Sequence, residues 1–203
     1  MKSEDLPIPG GRDVRATLDT PESDAEAIVV ACPPHPRHRG HRGDERLQAV
    51  SETLTQSGIA CLRFDYGDWD EGYGEREDAR NALRWARDRY ERVGIFGFSF
   101  GGAIATLAAA TVDPQPEAVS LLAPASRLTE ELDAAAALED VTGAVQVVYG
   151  TRDDTADWKP MVKRAEELGH ETVEMSADHF FVGQHGKVAD AAGGFLVEAL
   201  GER

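Results

Sequence analysis

The chain reads as an α/β protein built on an open, doubly wound, mostly parallel sheet with helices on both faces. Three observations predict this. Apolar runs of strand length recur along the chain, they are continuous rather than alternating, and longer segments of helical period separate them. Taken in order, Val14–Leu18 alternates and suits an antiparallel edge strand. Ala27–Cys32 is the first continuous run, followed by a helical segment at Asp44–Ser57 and a second strand at Ile59–Phe64. Glu75–Tyr90 puts Ala79, Ala82, Leu83, Ala86 and Tyr90 on one stripe, with charges elsewhere, as an amphipathic helix requires. Val93–Phe98 is the third strand, and Gly102–Thr111 reads as a helix of small residues. The strand Val119–Ala123 precedes a short helix-permissive stretch at Ala134–Ala137. Val145–Tyr149, the helix Trp158–Leu168, a weaker strand at Thr172–Met175 and a last helix at Gly186–Leu200 complete the order. Strands alternating with helices imply right-handed crossovers and a parallel sheet. In such sheets ligands bind at the carboxyl ends of the strands, which directs attention to the loops after Cys32, Phe64, Phe98, Ala123, Tyr149 and Met175.

A chain of 203 residues suffices for one domain with a sizeable core, spanning 1–203. The opening MKSEDLPIPGGRD has no apolar secretory segment, and no apolar run reaches the ~20 residues needed to cross a bilayer. A cytoplasmic location is the expectation. Cys32 and Cys61 both lie within apolar runs and are expected as buried free thiols. Asp and Glu number 37 against 21 Lys and Arg, a formal net charge of −16. That sign repels nucleic-acid phosphates and anionic membrane surfaces, so neither is expected as a partner. The basic residues are nearly all arginine, lysine occurring only at Lys2, Lys159, Lys163 and Lys187. An acidic, lysine-poor, arginine-rich chain resembles salt-adapted proteins of halophiles, in which salt screens the self-repulsion.

The densest signal is Gly97-Phe98-Ser99-Phe100-Gly101-Gly102, a Gly-x-Ser-x-Gly turn between a buried strand and a small-residue helix. In that context the serine is a candidate nucleophile, because a turn this tight tolerates almost no side chain two residues either side of it. A phosphate-binding loop would need Gly-x-Gly-x-x-Gly or a Gly-Lys-Ser/Thr continuation, and neither is present. The carboxylate should come next and the base last. After Val145–Tyr149 the chain reads Gly150-Thr151-Arg152-Asp153-Asp154, where Asp153 and Asp154 compete and Asp157 is a remoter third. After the last strand comes Asp178-His179-Phe180-Phe181. Imidazole suits proton exchange near neutral pH, and His179 lies 80 residues after Ser99 and 26 after Asp153. An oxyanion would need two donors: the Phe100 backbone N–H and one from Cys32-Pro33-Pro34-His35-Pro36-Arg37. Pro36 has no N–H, which leaves the Arg37 amide as the candidate. His35, His38 and His41 recur every three residues, but interleaved prolines, glycines and arginines argue against a metal site, and none is expected.

Together, HPR after the first core strand, LRFDY in the second, GFSFGG, YGTRDD and ADHFF resemble the α/β-hydrolase superfamily. More narrowly, they are similar to small lidless dienelactone-hydrolase-like or prolyl-oligopeptidase-like serine hydrolases, over about Ala27 to Leu200. The resemblance implies Ser99 as nucleophile, His179 as base and Asp153 as acid, since the family places its acid three residues after the glycine, here Gly150. Two departures stand out. Where many relatives carry Arg-Gly-x-Gly-x-Ser after the second strand, this chain has Gly67-Asp68-Trp69-Asp70-Glu71-Gly72. Dienelactone hydrolases proper also use cysteine as nucleophile, so that substrate is not implied.

The activity expected is acyl transfer to water on small neutral esters or thioesters, with no cofactor. Only 54 residues separate Ser99 from Asp153, too few for a cap domain, so the site should be open. His35, Tyr66, Trp69, Trp158 and Phe180 are expected around it. Two rivals share the scaffold: a degenerate hydrolase serving as a ligand-binding module, and an acyltransferase or peptidase on the same triad.

Overall fold

A computed structural model describes residues 1–201. It forms one eight-stranded sheet: β1 (Lys2–Ile8), β2 (Val14–Thr20), β3 (Ala27–Cys32), β4 (Ala60–Asp65), β5 (Arg92–Phe98), β6 (Ala118–Leu122), β7 (Ala144–Gly150) and β8 (Glu171–Met175). The strand order is β1-β2-β4-β3-β5-β6-β7-β8. β2 pairs antiparallel with β1 and β4, and all the other pairings are parallel. The doubly wound, mostly parallel architecture matches the apolar pattern, since β3 is buried along its whole length.

The helices are α1 (Glu45–Gln56), α2 (Tyr73–Arg87), α3 (Phe100–Ala109), α4 (Ala134–Ala137), α5 (Lys159–Glu167), α6 (His185–Val188) and α7 (Gly194–Leu200). They divide between the two faces as the pleat of the strands demands. Ile28, Val30 and Cys32 of β3 share a core with Ala79, Ala82 and Ala86 of α2, with α3 and with Met161 and Ala165 of α5. Ala27, Val29 and Ala31 of the same strand point the other way, to Leu47, Val50 and Leu54 of α1 and Leu196 and Leu200 of α7.

Three expectations need correction. Val14–Leu18 was expected at the edge, but β1 lies outside it as the true edge strand. Its residues KSEDLPI are exposed up to Asp5, so no buried face marks the strand in the sequence. The expected Ala134–Ala137 helix is a single turn, continued by a 3-10 turn at Leu138–Asp140. The expected last helix, Gly186–Leu200, begins at His185 and contains a π-turn at Ala189–Gly193 between α6 and α7. A side chain on Gly193 would meet Thr53 at 2.8 Å, so this turn packs closely on α1. Cys32 and Cys61 are free and buried, as expected, and burial raises both thiols, Cys61 to about 12. Among the described residues, no helix is long and apolar enough to cross a membrane.

Candidate active site

β5 runs up the middle of the sheet between β3 and β6 and delivers Ser99 at its carboxyl end. The turn into α3 is forced. A Cβ on Gly97 would lie 2.1 Å from the Gly101 carbonyl oxygen, and one on Gly101 would lie 2.2 Å from the Cys32 carbonyl oxygen. Both contacts are with backbone, which cannot swing aside, so both positions demand glycine. Ser99 itself sits at φ 58°, ψ −116°, a region that a side-chain-bearing residue occupies only under constraint. Its N–H donates to the Leu122 carbonyl at 2.8 Å, and its carbonyl accepts from Gly102, Ala103 and Ala125. The strained backbone is thereby held on both sides, and the hydroxyl projects beyond the strand.

The loops after β7 and β8 are stitched together. Thr151 N–H donates to the Met175 carbonyl at 2.9 Å, Arg152 N–H to the Ala177 carbonyl at 3.0 Å, and the Arg152 side chain to Ser176 Oγ at 2.8 Å. This places Asp153 against His179. Asp153 Oδ2 is 2.7 Å from His179 Nδ1, and His179 Nε2 is 2.9 Å from Ser99 Oγ. An ionised carboxylate can only accept, so Nδ1–H is the donor to Asp153, and in the neutral ring this tautomer leaves Nε2 as the acceptor facing Ser99 Oγ. The other Asp153 oxygen, Oδ1, accepts from the N–H groups of Thr155 at 2.9 Å and Ala156 at 3.1 Å. Asp153 and His179 are 8% and 4% exposed, so this hydrogen-bonded pair lies away from bulk water. Asp154 is exposed, and Asp157 is exposed with its carbonyl taken by Ser126 N–H. The tie among the carboxylates is thus broken by burial and reach: of the three, the structure brings Asp153 to the histidine.

The remaining expected residues fall into two groups. His35 stacks on Trp69 with ring centroids 4.6 Å apart and lies 4.8 Å from the Phe100 ring. Phe180 is 52% exposed and meets His179 edge-on at 5.2 Å. Phe180 thus borders His179, and His35 and Trp69 border Phe100, the residue after Ser99. Tyr66, expected as a wall, is instead part of the core: its hydroxyl donates to the Pro33 carbonyl at 3.1 Å and its ring stands edge-on to Phe64 and Phe100. Trp158, also expected as a wall, stacks on Tyr149 and donates its indole N–H to the Asp153 carbonyl at 3.1 Å. It thereby holds the backbone of Asp153. Burial, with His38 and Arg37 nearby, lowers the His35 imidazole below its ordinary value. His35 and His38 stack face to face, their centroids 4.5 Å apart, rather than converging their nitrogens.

The oxyanion donors are unequal. The Phe100 amide opens α3 with no backbone acceptor among the described residues. The Arg37 amide already donates to His35 Nδ1 at 3.2 Å. Sequence reading also assigned no part to Arg46, whose guanidinium lies over the Phe98 ring, its carbon 4.5 Å from the centroid, and donates to the Phe180 carbonyl. One arginine on an exposed-looking helix start in an arginine-rich chain carries no signal of its own.

Residues 37–188 match the family model described as X-Pro dipeptidyl-peptidase (S15 family). Among solved structures, the chain is similar to XC6422 from Xanthomonas campestris, described as an α/β serine hydrolase without lid, at 21% identity and TM-score 0.83 over 100% of this chain and 97% of that one. It is similar to Est1E from Butyrivibrio proteoclasticus at 19% identity and TM-score 0.86, covering 98% and 99% of the two chains. It is also similar to a dienelactone hydrolase from Anabaena variabilis, at 22% identity and TM-score 0.80 over 98% of each. No curated protein matches.

Proposed function

The chain belongs to the X-Pro dipeptidyl-peptidase S15 family of hydrolases, and from that premise we propose that it cleaves small ester or thioester substrates through Ser99, His179 and Asp153. The observation that carries the reading is the continuous relay from Ser99 Oγ to His179 Nε2 at 2.9 Å and from Nδ1 to Asp153 at 2.7 Å. Ser99 Oγ attacks the acyl carbon while His179 Nε2 takes its proton. Asp153 keeps the ring in the required tautomer and stabilises the imidazolium as it forms. The Phe100 N–H, at the positive end of the ten-residue helix α3, faces the developing oxyanion. The Arg37 amide joins it once released from His35. His179 then returns the proton to the leaving alcohol or thiol, and water repeats the cycle on the acyl-enzyme.

A second reading follows from the family match, which names cleavage after an X-Pro dipeptide. The exposed carboxylates Asp68, Asp70 and Glu71 beside Trp69 have the charge that would receive a peptide's N-terminal ammonium. A panel of p-nitrophenyl esters, thioesters and X-Pro p-nitroanilides separates the two by relative kcat/KM.

The test of the shared chemistry is a fluorophosphonate followed by peptide mass spectrometry. A single adduct on Ser99, absent in folded Ser99→Ala, is the expected outcome, with turnover in that variant reduced by roughly 10⁴-fold or more. An unlabelled, folded wild-type protein would leave a ligand-binding scaffold instead.

A further inference from the structure

Arg46 touches the residues flanking Ser99 and His179 from an element that carries neither. It stands in the first turn of α1, and its side chain crosses to the loop after β8, 134 residues away, to donate Nη1–H to the Phe180 carbonyl at 2.9 Å. Phe180 directly follows His179. The same guanidinium lies over the ring of Phe98, 4.5 Å from its centroid. Phe98 directly precedes Ser99, and its ring packs on the imidazole at 5.2 Å. Asp44 holds the guanidinium in turn: Oδ1 accepts from Nε at 2.8 Å, and Oδ2 accepts from Nη2. Asp44 also caps α1 by accepting the Arg46 backbone N–H at 3.0 Å, so the clamp is tied to a rigid helix end. The arginine and aspartate side chains are 14% and 9% exposed. Beside them, Glu45 Oε2 lies 3.4 Å from His185 Nδ1 at the start of α6.

We propose that Arg46 is a positioning residue that sets the distance between Ser99 and His179. The proposal rests on the reading of those two residues as nucleophile and base. The loop carrying His179 is otherwise held at one end by the stitching to the β7 loop and inside by Phe181, which is buried while its neighbours Phe180 and Val182 are exposed. Phe181 adopts φ 51°, so the chain reverses sharply immediately after the base. A planar fork that stacks on one ring while donating to one carbonyl can register both flanks at once. A lysine can supply the charge but not both contacts.

The experiment measures kcat and KM for p-nitrophenyl acetate, the rate constant of fluorophosphonate inactivation, the pH–rate profile and thermal stability for wild type, Arg46→Ala, Arg46→Lys, Asp44→Asn and Ser99→Ala. Misplacing the base by about 1 Å is expected to lower kcat and the inactivation rate of folded Arg46→Ala roughly 10²-fold, with KM little changed. Millimolar ethylguanidinium should restore part of that loss. Asp44→Asn keeps the cap but leaves the guanidinium without its charge partner, so some stability should be lost while kcat of the folded enzyme falls about tenfold. A merely structural arginine would lower the melting temperature without changing kcat of the folded enzyme, and ethylguanidinium would do nothing. Should Arg46→Ala fail to fold, Asp44→Asn and Arg46→Lys decide on the same readouts. If these folded variants stay within about threefold of wild type while Ser99→Ala is dead, the brace is overturned and the triad stands. If Ser99→Ala turns over like wild type, the triad reading falls and the brace with it.

Discussion

The carboxylate doublet shows how little separates a buried, histidine-bound carboxylate from a solvated one. Asp153 and Asp154 are chemically identical neighbours, yet one is 8% exposed with three short contacts from His179 and the N–H groups of the following turn, and the other faces water. Replacing Asp153 with Asn keeps the shape but presents an amide donor that can hold the imidazole in the wrong tautomer. The expected loss in kcat is about 10⁴-fold. Asp154→Asn, by contrast, should change kcat by less than about threefold, since an exposed carboxylate outside the relay touches none of the reacting groups. Steady-state kinetics on the two variants checks the assignment. The order of Ser99, Asp153 and His179 was legible in the sequence because each stands at or within a few residues of the carboxyl end of a strand. The choice between adjacent aspartates was not, because side-chain direction in a loop depends on the neighbouring loop it is sewn to.

Among the elements, the antiparallel β1–β2 pair is the one whose attachment depends on a buried charge. Asp19 of β2 is 1% exposed and accepts from Arg63 Nε at 2.7 Å, Ser51 Oγ at 2.7 Å and Ser3 Oγ at 2.6 Å, joining β1, β2, β4 and α1. Burial raises its carboxyl, but the hydrogen bonds from Arg63, Ser3 and Ser51 outweigh it and hold the group below its ordinary 3.8. A carboxyl held low in the folded chain contributes stability above its unfolded value. That contribution is lost as pH falls through the lower folded value. Asp19→Asn leaves Arg63 without its charge partner and should cost about 3 kcal/mol at pH 7. The difference from wild type should begin to narrow below about pH 4, where the carboxyl of the unfolded wild-type chain takes up a proton while the folded one still holds its charge. Urea unfolding of both proteins between pH 7 and pH 3 measures it. An equal gap at every pH would refute the electrostatic account. β1 itself escaped sequence reading because an edge strand of polar residues buries no face that periodicity could report.

For the molecule as a whole, the decisive quantity is the surplus of acid. Arginines are engaged in pairs such as Arg12–Asp78, Arg42–Asp65 and Arg87–Glu117, but 37 acidic residues against 21 basic ones leave a net charge of −16. Salt acts on both populations. Exposed pairs contribute only about 0–1 kcal/mol each, so screening them costs little. Screening the unpaired surplus removes a repulsion that spans the whole surface. Thermal stability should therefore rise steeply between ~0.1 and ~2 M KCl, as the Debye length falls from about 10 Å to below 3 Å. A melting temperature independent of KCl would show that the surplus is spaced too widely to matter.

Continuous apolar runs, glycines two residues either side of Ser99 and a histidine beyond the last strand are local properties, and they determined the parallel part of the sheet, the elbow and the order of Ser99, Asp153 and His179 along the chain. They could do so because strand burial and backbone clearance are dictated residue by residue. Which aspartate meets the histidine, that Tyr66 and Trp158 support the site from within, that the Arg37 amide is occupied by His35, and that Arg46 spans both flanks of the relay were decided only by tertiary structure. Each of these depends on contacts between segments far apart in the chain or on the direction of a side chain in a loop, and neither leaves a periodic trace in the order of residues.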